Sequence, residues 1–287
     1  MKPFLGINIT EDKENERFNG DEFIVKRASP MLLQEYEKAT DSSMKLLLSG
    51  LRQNMPNIVL MCVFGIGFTA AGSIISSLAN KWDNGLRQVY DTVPWLIWLA
   101  GALLIGMLVF AFKVFKAAKK IREDEELAQI DSKTDSLAAL IFAAMGVPSD
   151  AADVEILSFR YEVRDGEPIA QKSKGMTAAY DNLAYKAYVA DGKLFLADVE
   201  SLYAFPMDEL RAIRTIKEKI SIPVWLKDTE PDKGQYKQYK LRVDKEGDVH
   251  FKIYYILELA HGGETWGIYF PCYELPVFEA LTALTVE

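Results

Sequence analysis

The sequence predicts an α+β membrane protein, a two-helix transmembrane hairpin joined to an antiparallel sheet domain. Residues 53–80 are 28 consecutive uncharged positions and residues 92–112 another 21. A bilayer core of roughly 30 Å needs about 20 apolar residues of helix, so each run is long enough to cross it. From Val154 the apolar residues abandon helical spacing for alternation, the period of half-buried strands. The chain then closes with Pro276, Val277, Phe278, Leu281 and Leu284 at helical spacing. The hydrophobic fraction of 49% and mean hydropathy of −0.01 are ordinary for a soluble protein. The segregation of those residues excludes a soluble enzyme. A net charge of −8 and a pI near 5.1 argue against nucleic acid as a partner.

Residues 1–28 are polar, with Phe23, Ile24 and Val25 as their cluster, and are expected to be partly disordered. They lack the cationic patch and apolar core of a cleaved signal peptide. Ser29 and Pro30 form a helix start, a hydroxyl cap before a residue whose missing N–H costs nothing there. Leu33, Tyr36, Thr40, Met44, Leu47 and Leu51 then recur at steps of three and four, giving a cytoplasmic amphipathic helix over 29–55. Its apolar face either packs on the C-terminal domain or lies in the membrane interface, and Glu35, Glu37 and Asp41 weigh against the interface. Pro56 is expected to reset the chain where the first span, 56–80, begins.

A connector at 81–91 is too short for a domain, so the second span, 92–115, returns directly. The flanks carry Lys38, Lys45, Arg52, Lys113, Lys116, Lys119, Lys120 and Arg122, against Lys81 and Arg87 in the connector. That asymmetry places the connector outside and both termini in the cytoplasm, a multi-pass protein of the cell membrane. Trp82, Tyr90, Trp95 and Trp98 read as an outer aromatic belt.

The linker at 116–150 should be helical, the second span running on into the charged stretch 122–126 and a further helix covering 134–145. Gly146 and Pro148 end that helix. Its uncharged run, residues 136–149, is 14 long, which favours a buried docking helix over a third span.

The sheet domain, 151–287, opens with Leu157, Phe159, Tyr161 and Val163 alternating with Ser158, Arg160 and Glu162. Strands are expected at 183–189, 193–199 and 202–205, with a short one at 220–226. Segment 207–219 stays open between strand and helix, because Leu210, Ile213, Ile216 and Ile220 also share a helical face. Tyr239, Leu241 and Val243, then Val249 through Leu259, then Trp266, Ile268 and Phe270, read as a three-strand meander turning at 245–248 and at Gly262-Gly263. About seven strands and a closing helix result.

Asp191-Gly192-Lys193-Leu194-Phe195-Leu196, Leu202-Tyr203-Ala204-Phe205-Pro206 and Leu210-Arg211-Ala212-Ile213 carry a family resemblance. Over residues 154–285 the succession resembles the bacterial pleckstrin-homology-like domain, a bent antiparallel sheet closed by a C-terminal helix. The whole chain is similar to bacterial inner-membrane proteins with a two-helix hairpin and such a domain on one side. The resemblance implies that fold, in proteins often without an assigned activity, and the absence of catalytic and metal constellations adds the expectation of a non-enzymatic role.

No chemical constellation competes with that role. His250, on the outward face of a strand, and His261, in a turn, do not provide the three or four ligands a zinc site needs. Cys62 and Cys272 form no disulfide framework. His261-Gly262-Gly263-Glu264 has the look of an oxyanion loop, but a Gly-x-Ser-x-Gly elbow is absent and a tight hairpin explains the glycines. The spans hold no Asp, Glu, Lys, Arg or His, which disfavours a pump or an intramembrane protease. Gly65, Gly67, Ala71, Gly72, Ser73, Ser76, Ala100, Gly101, Ala102 and Gly106 allow close helix contact, used within the hairpin or for homo-oligomers. Lys172 and Lys174 stand where some pleckstrin-homology domains hold lipid phosphates. Residues 116–287 nevertheless carry 22 Lys and Arg against 30 Asp and Glu, a sign that opposes an anionic leaflet.

The expected function is a membrane-anchored cytoplasmic interaction or sensor module with a protein partner. That partner would meet a strand edge or the 134–145 helix around Leu140. No catalytic, cofactor or metal residues are expected. The alternative is an accessory subunit of a transport or channel complex, and a third is an enzyme built on scattered carboxylates.

Overall fold

A computed structural model describes residues 1–8, 17–82, 84–164, 167–170, 178–222, 239, 241–243 and 248–286. The chain divides into two compact units, Met1–Leu33 with Ala138–Glu287, and Gln34–Leu137.

The helical unit is built on α1 (Pro30–Lys81), α2 (Gly85–Thr92), α3 (Pro94–Arg122) and the first turns of α4 (Glu125–Met145). α1 and α3 are long and apolar enough to cross a membrane. Pro56 does not reset the chain. It lies inside one 52-residue helix, so the expected break between a segment at 29–55 and a span at 56–80 is corrected. A proline removes a single N–H from the ladder, and the turns on either side hold the helix through it. The connector is also more ordered than a loop, since α2 fills most of it and Val89 is fully buried. The charged stretch after the second span breaks at residues 123–124, where α3 stops and α4 starts.

Small residues let α1 and α3 meet in antiparallel order. A Cβ at Gly106 would stand 2.5 Å from the ring of Phe64, and one at Gly67 3.2 Å from Leu103. Phe64 stacks on Phe110 with centroids 5.6 Å apart. Gly72 and Gly101 have no neighbour within 4 Å of that position. Beyond the apolar stretch, Ser43 donates to Asp131 across α1 and α4 at 3.1 Å.

The β unit does not start at residue 151. Residues 1–28 supply β1 (Lys2–Pro3), β2 (Leu5–Asn8), β3 (Arg17–Asn19) and β4 (Ile24–Arg27), where a polar segment was expected. They add to strands made after the hairpin: β5 (Ala152–Arg164), β6 (Glu167–Ala170), β7 (Ala178–Ala190), β8 (Lys193–Ala197) and β9 (Ser201–Pro206). β10 (Leu210–Ile216), β11 (Ile220–Ile222), β12 (Arg242–Val243), β13 (Val249–Phe251), β14 (Tyr254–His261) and β15 (Glu264–Pro271) follow, and α5 (Leu275–Thr282) closes the unit.

Segment 207–219 is therefore resolved in favour of a strand over 210–216. The expected three-strand meander is corrected. The apolar run from Val249 breaks at Lys252–Ile253, and its halves join different sheets, β13 pairing with β11 and β12, and β14 with β10 and β15. The larger sheet runs β12-β13-β11-β7-β5-β2-β3, with β8 on β7, β9 on β8 and β4 on β9. The smaller runs β1-β15-β14-β10. The mixed character comes from the N-terminal strands and β11, since β1 on β15, β2 on β5 and β11 on β7 are parallel.

Strand faces alternate, and here both faces are covered. Val154 and Ile156 enter a cluster with Phe205, Leu257, Ile268 and Phe278. Leu157, Phe159 and Tyr161 enter a second cluster with Tyr254, Tyr269 and Ile222. β5 thus changes the face it loads with apolar residues at Ile156–Leu157. Phe278 of α5 is fully buried and stacks on Phe270 at 4.1 Å, whereas Leu281 is only partly buried. On α4, Ile141 and Met145 are buried while Leu140 is 56% exposed. Lys26 donates to the Ala144 carbonyl at 2.7 Å, a cation at the negative end of a helix.

Candidate functional site

The second apolar cluster opens into a cavity of about 280 Å3. Its walls come from strands far apart in sequence, Phe159 on β5, Tyr180 on β7, Tyr254 and Ile256 on β14 and Tyr269 on β15. Register brings them together: Phe159 stands opposite Tyr180, and Ile256 opposite Tyr269. The four rings form a continuous aromatic wall. Phe159 lies 4.7 Å from Tyr180 and 4.9 Å from Tyr269, and Tyr254 lies 5.5 Å from Tyr180. Offset and tilted pairs at these separations are favourable beyond the area they bury.

The polar groups converge on one point. The Tyr180 and Tyr254 hydroxyls are 3.2 Å apart, and Tyr254 donates to Glu218 Oε2 at 3.4 Å. Burial pushes both phenols well above the ordinary tyrosine value, reinforced at Tyr180 by the neighbouring Tyr254 oxygen. They stay protonated at neutral pH and act as neutral donors. Cys272, in the same cluster, is pushed up to about 11 by burial and is a thiol. Only a thiolate is a strong nucleophile.

A separate buried group joins β5, β7 and the turn after β15. Asn182 Nδ2 donates to Glu155 Oε2 at 2.9 Å, and the Tyr273 hydroxyl donates to the same oxygen. All three residues are at most 5% exposed. Asn182 Oδ1 has no partner among the described residues.

His250 sits on β13 between Ser221 and Arg242. His261 lies 2.7 Å from Glu209 and packs on the ring of Phe23 at 4.8 Å, so the two imidazoles are in different surroundings. Gly262 and Gly263 make the two-residue turn of β14 and β15, with φ of +59° and +82°. Such left-handed angles favour glycine. Glu264 is ion-paired with Lys2. Among the described residues no group of three His, Cys, Asp or Glu could hold a metal ion. Lys172 and Lys174 lie outside the described residues, as do Lys240 and 245–247 of the expected meander.

Sequence reading singled out neither the aromatic cavity nor the Glu155 group. The one available signal was the carboxylate Glu155 inside the run Val154-Glu155-Ile156-Leu157, where a two-faced strand has no solvent side to give it. The chain matches no protein-family model, no curated protein and no solved structure.

Proposed function

We propose that this protein is a membrane-anchored, non-enzymatic sensor or interaction module, with a pleckstrin-homology-like β unit and both termini in the cytoplasm of a bacterial-type cell. One observation carries the reading. Strands made before α1 pair with strands made after α4, Lys2 with Trp266, Ile7 with Arg160 and Ile24 with Tyr203. If α1 and α3 cross a bilayer, both flanks of the hairpin must emerge on the same face of it. A two-span hairpin satisfies that requirement, and the excess of Lys and Arg on the flanks names the face as the inner one.

The strand order supports the fold assignment. β5, β7, β8 and β9 pair in succession, β10, β14 and β15 form a second antiparallel set, and a helix follows. An antiparallel sheet closed by a C-terminal helix is what the resemblance implies, and β6 and β11–β13 are additions to that succession. The cavity supports a sensing role. Its walls combine aromatic surface with neutral hydroxyls and a carboxylate, a mixture suited to holding a small molecule. A strand-addition partner is less favoured, because the edges β1, β3, β4 and β12 are only two to four residues long and the longer edge, β10, carries the bridge from Ile213 to Val286.

The test has two parts. Reporters at either terminus should be active only inside the cell and one at Asn84 only outside. A small-molecule screen by thermal shift on the full chain in detergent should yield compounds that stabilise the wild type and lose their effect in Tyr254→Phe. An external terminus removes the anchoring reading. Compounds that stabilise both proteins equally remove the cavity from it.

A further inference from the structure

We infer that the lysine-lined end of the hairpin is a binding site for the phosphate headgroup of an anionic phospholipid. The inference rests on the reading that α1 and α3 span a bilayer. Within the helical unit, Asn57 of α1 and Lys113, Lys116, Lys119, Lys120 and Glu123 of α3 line a cavity of about 690 Å3. Small-molecule sites measure about 300 to 1,000 Å3, so a headgroup has room there.

The depth is right. Lys113 is the first charged residue after the uncharged run 92–112, and Asn57 lies four positions into the run 53–80. Both therefore sit where hydrocarbon gives way to phosphate. Lys113, Lys116 and Lys120 recur at steps of three and four, so they share one helix face. The Lys113 ammonium lies 4.9 Å over the Phe110 ring, a cation–π contact at the end of the apolar run. Glu123 pairs with Lys119 at 3.6 Å, leaving the other three lysines in excess of the carboxylates that line the cavity. Asn57 is held by a hydrogen bond from its amide to buried Asn54 at 3.0 Å. It adds a polar group fixed in place beside three cations.

A purely topological role requires cations on the inner flank but not their convergence with Asn57 on one cavity. Each lysine near an anionic surface is worth about fivefold in partitioning, so three together should favour an anionic lipid by the order of a hundredfold. A free phosphate ion lacks the acyl chains that would place it at this depth, so the site is assigned to the lipid.

The experiment is native mass spectrometry of the full chain released from nanodiscs of phosphatidylcholine with and without phosphatidylglycerol. The wild type should retain phosphatidylglycerol, excess inorganic phosphate should not displace it, and Lys113→Gln/Lys116→Gln/Lys120→Gln should abolish the preference. Asn57→Leu, which keeps every charge, should weaken retention severalfold, and Lys217→Gln/Lys219→Gln should not. Equal retention of both lipids, displacement by phosphate, or a triple or Asn57→Leu variant that binds like the wild type overturns the site. Extraction of the protein from membranes by alkaline carbonate alone would instead overturn the spanning helices on which it rests.

Discussion

Val286 forms a parallel bridge to Ile213 on the side of β10 that β14 leaves open. β10 is the longest strand at either end of the smaller sheet, with seven residues. An open edge of that length is a template for unwanted pairing. Removing residues 284–287 should therefore produce self-association of the full chain in detergent, visible by size-exclusion chromatography with light scattering. A truncated protein that elutes as the wild type does would show the bridge to be unimportant.

Phe278 should be the anchor of the closing helix. It is fully buried against Phe270, so Phe278→Ala should cost about 3 to 5 kcal/mol. Leu281→Ala should cost less than about 2 kcal/mol, because that side chain is only partly buried. Denaturant titration followed by circular dichroism measures both. Equal losses would mean the helix is rotated from the position described.

Much of this was legible. Two uncharged runs gave the long helices, and the alternation of Leu157, Phe159 and Tyr161 gave a strand. The N-terminal strands were not readable, since two to four residues carry no period and β1, β2 and β4 have partners more than a hundred residues away. Leu210, Ile213 and Ile216 fit a helix as well as a strand because β10 buries positions of both parities, Leu210, Ala212 and Ile213. The cavity eluded sequence reading for a related reason. Phe159, Tyr180, Tyr254 and Tyr269 are ordinary strand residues until register sets them side by side.

Alkaline pH should weaken the fold through the tyrosines of the cavity. Tyr180 and Tyr254 have folded values above the ordinary value near 10. The folded state thus holds their protons when the unfolded state has lost them. Their stabilising effect is complete below about pH 10 and declines as pH rises above it. Melting temperature should fall with pH above 10, and less steeply in Tyr180→Phe/Tyr254→Phe. Identical slopes would mean that other groups set the alkaline limit.

Tyr273→Phe should destabilise by about 1.5 to 3 kcal/mol, the range for a hydrogen bond to a charged group. It removes a donor from buried Glu155 without changing the shape of the core. Chemical denaturation against the wild type measures the loss, and a value below about 0.5 kcal/mol, ordinary for surface sites, would mean that Glu155 is satisfied without it.

The pairing of β1, β2 and β4 with strands beyond the hairpin also fixes an order of events. When residues 1–27 leave the ribosome, the segments they pair with, from Arg160 to Gly267, have not been made. The two apolar helices are synthesised in between. Apart from the local pairing of β2 with β3, the N-terminal strands must wait for their partners through the manufacture of the hairpin, and loop closure over that distance is slow. On the proposed reading that α1 and α3 span a bilayer, completion of the β unit reports that both ends of the chain have arrived in the same compartment. On that same reading, a chain whose two flanks lay on opposite sides could not pair β1, β2 and β4 with their partners beyond the hairpin.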